Sequence, residues 1–268
     1  MGACLAPRIV AGSAALASLL AFHVCRTPLA DDETKWSGEY KSALRLYYHS
    51  LDFAPVEVEL FGEFKPTGSE PVDPEHKAVL HIPRAYLFFV DQYLPRYTER
   101  RVPDHVRTDS ITVLMTYPDG KPLSVHAKEL AAERGISRSD AIRQLRPVRY
   151  EARLSYVRPD WPWEENLRSQ RRSPNVRDAE PFEGLAHVVS VLKEDYYYGE
   201  PGVDEFVEFR CVEGKNPFLL CEATARIRSD LVAQIYFMDF RQYGGRSFAN
   251  ERIRALRESI CRFVSGGC

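Results

Sequence analysis

The chain has almost no net charge. Its 36 basic side chains face 38 acidic ones, a balance of −2, which removes any global electrostatic attraction to nucleic acid or an anionic membrane. It has no internal repeat and no low-complexity linker. Apolar residues make up 44% and charged residues 28%, with a mean hydropathy of −0.35. That balance excludes a disordered tail, a collagen-like fibre and a polytopic membrane protein. Catalytic signatures are missing as well: HExxH, His-x-His, GxSxG, GxxxxGK and a GxGxxG opening a helix are all absent. No cysteine pair has the CxxC spacing of a zinc or thioredoxin-type site. What remains is a 268-residue chain long enough to bury a substantial core.

There is one long uncharged run, and it lies near the N-terminus. Arg8 precedes Ile9 to Val24, which is mostly apolar, and Asp31, Asp32 and Glu33 follow soon after Arg26. A positive segment ahead of an apolar one is the pattern read by the secretion machinery, and it leaves the downstream chain outside the cytoplasm. Residues 1–30 are therefore expected to be a signal anchor or signal peptide, and 31–268 a single exported domain. An uncleaved anchor ranks first, although the run sits at the short edge of the roughly 17–25 apolar residues a span needs. A cleaved signal ranks second, because Ala30 suits position −1 and Pro28 does not suit −3. A lipoprotein at Cys25 ranks third, since Phe22-His23-Val24 precedes that cysteine. The structural alternative to all three is a buried N-terminal helix.

Hydrophobic periodicity supplies the body. Val56 to Phe64 alternates, with Val56, Val58 and Leu60 on one face and Glu57 and Glu59 on the other, as in a half-exposed strand. Ala78 to Val90 holds two apolar runs broken by Pro83, which predicts a kinked edge strand or two short ones. Gln92 to Asp109 reads as a charged connector, and Ser110 to Tyr117 as a strong strand closed by the turn Pro118-Asp119-Gly120. Two helices follow, about Val125 to Arg134 and Ser139 to Leu145. Gly135 ends the first, and Ser137 with Asp140 caps the second. Val148 to Val157 alternates again, Arg158 to Gly184 has no period, and Leu185 to Lys193 returns to strand.

In the C-terminal block, Val207, Phe209 and Cys211 share one face of a strand, and Leu219, Cys221, Ala223 and Ala225 share one face of the next. The two cysteines thus fall on the apolar side of consecutive strands. Four cysteines in the body allow three pairings. Local geometry favours Cys211–Cys221 across the hairpin and Cys261–Cys268 through the bend at Gly266-Gly267. Leu231 to Phe240 is a third strand. Ser247 is expected to cap a helix from Phe248 to Val264 whose stripe is Ile253, Leu256, Ile260 and Phe263. The fold class read from this is α+β. A mainly antiparallel sheet is covered on one face by the C-terminal amphipathic helix and by the helices near 125–145, with a hydrophobic helix at the N-terminus.

Chemistry is sparse. His76 and His81 have a spacing that neither helix nor strand explains as a metal pair, and His187 reads as a satisfied core or edge histidine. Gly244-Gly245-Arg246 has the form of an anion site at a helix N-terminus, although a flexible turn is the commoner meaning. The segment from Ser139 to Arg177 has many arginines and no lysine, and it contains Trp161 and Trp163. Arg and Trp dominate interface hot spots, so Trp161, Trp163, Arg168, Arg171 and Arg172 are the candidate partner-binding residues. The alternative is that the tryptophans cap the sheet edge and the arginines are solvated. No catalytic, metal or cofactor residues are assigned.

Three pieces carry a family resemblance: Ile82 to Leu87 (IPRAYL), Asp109 to Pro122 (DSITVLMTYPDGKP), and the C-terminal block NPFLLCEATARIRSDLVAQIYFMDF with its closing helix. In these the chain resembles a family of uncharacterised exported or membrane-anchored proteobacterial proteins, some of them encoded beside toxic effectors of contact-dependent secretion systems. Where relatives have Trp at the start of the last helix, this chain has Phe248. The resemblance implies a non-enzymatic immunity protein at the periplasmic face of the inner membrane that binds and blocks a toxin. It implies a protein partner; membrane contact is expected through the leader, nucleic acid is set aside because export removes the usual polymer, and no cofactor is expected. An envelope hydrolase with a dispersed active site, or a structural subunit of an envelope assembly, are the alternatives.

Overall fold

In a computed structural model the described residues are 51–61, 77–90, 104–212, 220–264 and 267–268, all inside the unit Gly38–Cys268. The leader, with Cys4, Cys25 and the expected hydrophobic helix, lies outside them. No described helix is long and apolar enough to cross a membrane.

The strands are β1 (Pro55–Leu60), β2 (Ala78–Pro83), β3 (Leu87–Val90), β4 (His105–Thr108), β5 (Ser110–Thr116), β6 (Lys121–Pro122), β7 (Arg149–Tyr156), β8 (Val176–Asp178), β9 (Ala186–Ser190), β10 (Glu194–Tyr198), β11 (Glu208–Val212), β12 (Leu220–Arg228) and β13 (Leu231–Met238). The α-helices are α1 (Leu123–Arg134), α2 (Arg138–Gln144), α3 (Trp163–Ser169) and α4 (Gly245–Cys261). Ten strands form one antiparallel sheet along the path β3-β5-β7-β13-β12-β11-β10-β9-β8, with β6 paired to β5. A second sheet has the order β2-β1-β4, in which β1 and β4 run parallel. Pro83 ends β2, so the apolar stretch 78–90 supplies one strand to each sheet.

The main core lies between the two sheets and α4. Val56, Val58 and Leu60 of β1 meet Ile111, Val113 and Met115 of β5, Ala152 and Leu154 of β7, and Ile253, Leu256 and Ile260 of α4. The expected stripe of the last helix is therefore its buried face, with Phe263 just beyond the helix end. At the β5–β6 turn, Gly120 has φ +61°, and a Cβ there would collide with Ser259 of α4, so only glycine lets the turn approach this closely.

Three expectations are corrected. Helices α1 and α2 do not share the α4 face. Every residue of β5 is buried, and Leu114, on the opposite pleat from Val113, packs with Leu123, Leu130, Ala141 and Leu145 in a separate cluster. A strand apolar on both sides needs cover on both sides, so the large sheet is sandwiched rather than covered once. The last helix begins at Gly245, ahead of Phe248, and Ser247 does not cap it. In its first turn the Arg246 amide donates to Oε2 of Glu183, from the loop before β9, at 2.5 Å. Gly244 and Gly245 have φ of 121° and 67°, and a Cβ on Gly245 would strike the Glu183 carboxylate. The anion at that helix end is the protein's own carboxylate. Finally, β4 arises inside the stretch read as a connector, α3 and β8 arise where no period was visible, and β10 follows directly on the strand read at Leu185 to Lys193.

Both disulfides have the expected partners. Cys211 and Cys221 are opposite in the β11–β12 register with Cα atoms 4.1 Å apart, and Cys261 bonds Cys268. Each bridge closes a short loop and stabilises mainly by restricting the unfolded chain, by about 2–4 kcal/mol. Gly135 ends α1 in the left-handed region, and Ser137 Oγ accepts from the Asp140 amide at the start of α2, both as expected.

Candidate functional site

The aperiodic stretch folds around α3. Pro162 precedes the helix, Glu164 and Glu165 sit in its first turn and Arg168 in its last, an order that suits the helix dipole. Trp163 and Leu167, four residues apart, fall on one side and join Val157, Val207 and Val232 in a satellite core. Trp163 has no exposed surface. It is therefore not a contact residue for a partner, contrary to its place among the candidates; the indole seats α3 on the sheet. Trp161 is half-buried against the same cluster.

Charged groups then pin the helix in two directions. Arg226 of β12 lies 5.1 Å over the Trp163 ring and donates to Glu164 Oε1 at 2.6 Å. Glu164 Oε2 accepts from Arg168 Nη1 at 3.2 Å, and Arg168 Nε donates to the Gly199 carbonyl at 3.4 Å. Arg168 is thus spent as a strut between α3 and the end of β10. The chain continues from α3 into a 3₁₀ turn, Gln170–Arg172, that carries Arg171 and Arg172.

Between this turn and the end of β10 opens a cleft of about 690 Å³, lined by Arg168, Arg171 and Arg172 on one side and by Tyr198, Gly199 and Glu200 on the other. The structure brings together all three candidate arginines. A smaller cleft of about 280 Å³ beyond Pro201-Gly202 also holds arginines. Those are committed: Arg226 to Glu164, Arg228 to Asp230 and Arg257 to Glu205. Among the described residues no carboxylate forms an ion pair with Arg171 or Arg172, and both are exposed.

Tyr198, in the wall of the larger cleft, leads to a buried pair that sequence reasoning missed. Tyr198 pairs across the ladder with Glu208 of β11, and both are buried. Burial pushes the Glu208 carboxyl up to about 7, against the hydrogen bond from Tyr198, and Glu222 nearby raises it further. Glu208 Oε2 has no hydrogen-bond partner among the described residues. The Tyr198 hydroxyl is itself pushed up by burial and by Glu208, while the positive charge of Arg171 pulls it down. Glu208 alternates with Phe209 and Cys211 and so reads in sequence as a solvent-facing residue.

A bonded histidine–carboxylate pair exists, but it does not face this cleft. His187 Nδ1 donates to the Glu180 carbonyl and Nε2 meets Asp195 Oδ1, each at 2.9 Å, while the ring stacks on Tyr197 at 4.4 Å. Asp195 continues to Arg241 at 3.1 Å, and Arg241 donates to Asp239 and to the Tyr197 hydroxyl. Both ring nitrogens face partners inside the protein, so neither is presented to a substrate. Ala186 lines the cleft, and its neighbour His187 therefore points to the other face of β9. The satisfied-histidine reading fits this network. No family model, curated protein or solved structure matches the chain.

Proposed function

We propose that this is a non-enzymatic binding protein of the bacterial cell envelope, held at the inner membrane by its leader with the folded body in the periplasm. It takes a protein partner at the arginine cleft. The family resemblance names the partner class, a toxic effector, and makes the protein its immunity factor. The carrying observation is the pair Arg171 and Arg172, displayed on a braced turn with no described carboxylate to neutralise them. Arginine forks left open in a concave site favour bidentate recognition of acidic groups on a partner. The two disulfides support an oxidising compartment. The commitment of both His187 nitrogens weighs against hydrolysis at the one bonded His–Asp pair described.

The test is co-purification of the full chain with the product of the neighbouring gene. A stable complex is expected, weakened at least about tenfold by Arg171→Glu with Arg172→Glu, in keeping with the cost of losing charge pairs at an interface. Absence of any complex, together with full resistance of cells lacking this protein, would overturn the reading.

A further inference from the structure

The solvent face of the small sheet carries a second cluster, unrelated to the cleft. In β1 the even positions Val56, Val58 and Leu60 are fully buried, so Glu57 and Glu59 project from the opposite face. The register sets His81 of β2 and His105 of β4 on either side of Glu57. Their neighbours Leu80, Ile82 and Val106 are buried, so both imidazoles share the outer face with the glutamates. The Glu57 amide donates to Asp104, on the β4 side, and the His81 amide donates to Phe263, away from β1. Glu57 and His81 therefore form a non-hydrogen-bonded antiparallel pair, the kind whose side chains lie closer. On the other side His105 Nδ1 is 3.0 Å from Glu57 Oε1.

Ligating atoms of Glu57, Glu59 and His105 all lie within 4.8 Å of one another. A tetrahedral ion with bonds of about 2.1 Å holds its donors about 3.4 Å apart, so small torsions of exposed side chains close the set. Two carboxylates two residues apart on one strand, with an imidazole on each flanking strand, make a mixed nitrogen–oxygen set. Calcium and magnesium favour all-oxygen shells, whereas imidazole with carboxylate suits zinc.

We propose that Glu57, Glu59, His81 and His105 form a zinc-class divalent metal site on the outer face of the small sheet. Two cations flank it. Arg107, opposite Glu59, is drawn aside over the Phe61 ring at 5.1 Å. Lys77 forms an ion pair with Glu59 and has to leave when the metal arrives. That competition gives the site a signature a stray surface histidine would lack: removing the lysine charge tightens metal binding.

The experiment is calorimetric titration of the full chain, purified free of metal, with zinc chloride, alongside thermal melts of each metal-free variant. One zinc per chain is expected at micromolar concentration. His81→Ala with His105→Ala should weaken it at least about tenfold, as should Glu57→Gln, since loss of a ligand costs no less than the 10–100-fold typical of its supporting partners. Lys77→Met should strengthen binding, and His126→Ala, whose ring is bonded to Thr116, should leave it unchanged. These positions face solvent, so unchanged melts of the metal-free variants are expected and separate binding from folding. No binding at micromolar zinc, binding that survives the double histidine variant, or equal loss in His126→Ala would overturn the proposal.

Discussion

Glu208 lies directly across the β10–β11 ladder from Tyr198, a residue of the arginine cleft's wall, and takes the hydrogen bond of its hydroxyl. A carboxyl held there by burial has its proton affinity raised from 4.5 to about 7. Between those values the folded chain carries a proton that the unfolded chain has released. Stability attributable to this group therefore falls as pH rises through that window and stays lower above it.

Glu208→Gln removes the cost of ionising a buried acid while keeping a hydrogen-bond acceptor for Tyr198. The variant is expected to be more stable than the parent by on the order of 2–3 kcal/mol at about pH 8, with the difference fading toward about pH 5. Urea unfolding at both pH values measures it. A constant difference across the range would show that Glu208 does not titrate between its folded and unfolded values.

Trp163 and Trp161 sit two residues apart and should behave oppositely. Trp163 fills the satellite core under α3 and carries Arg226 on its face, so Trp163→Ala is expected to cost about 3–5 kcal/mol. Trp161 only borders that cluster, and Trp161→Ala should cost less than half as much. Thermal melts of the two single variants decide between a core indole and an interface indole.

The Cys211–Cys221 bridge ties strands that are already paired along the ladder. The double change Cys211→Ser with Cys221→Ser is expected to lower stability by about 2–4 kcal/mol while the hairpin survives. Peptide mapping without reductant should recover both bridges in the parent protein. Free thiols at 211 and 221 in freshly purified material would remove this support for an oxidising compartment.

Much of this was legible because it is local. Alternation of Phe209 with Cys211 and of Cys221 with Ala223 was enough to place both sulfurs on one side of neighbouring strands, where the register sets them opposite. The stripe Ile253, Leu256, Ile260 is buried as its spacing required. What escaped depends on partners far along the chain. Nothing near Ser247 reveals that Glu183, 63 residues earlier than Arg246, meets the start of α4. Nothing near Trp163 reveals that Val207 and Val232 wait beneath it. For the candidate site, the arginines were visible as composition and the Glu164–Arg168 pair as an i,i+4 spacing, but that the turn Gln170–Arg172 comes to face the end of β10 across a cleft was decided by folding alone.

The placement of β13 sets an order of events. It is the last strand in sequence, yet it lies in the interior of the large sheet, between β7 and β12. Until it arrives, β7 has an open edge with unsatisfied amides and carbonyls, and β3, β5 and β7 form a fragment that any extended peptide could zip onto. The β7 edge of a nascent chain thus stays open while the next 80 or so residues are made, because ladder closure waits on contacts such as that of Arg153 with Gln234. A holdase that masks the β7 edge during that interval would guard the step most exposed to aggregation.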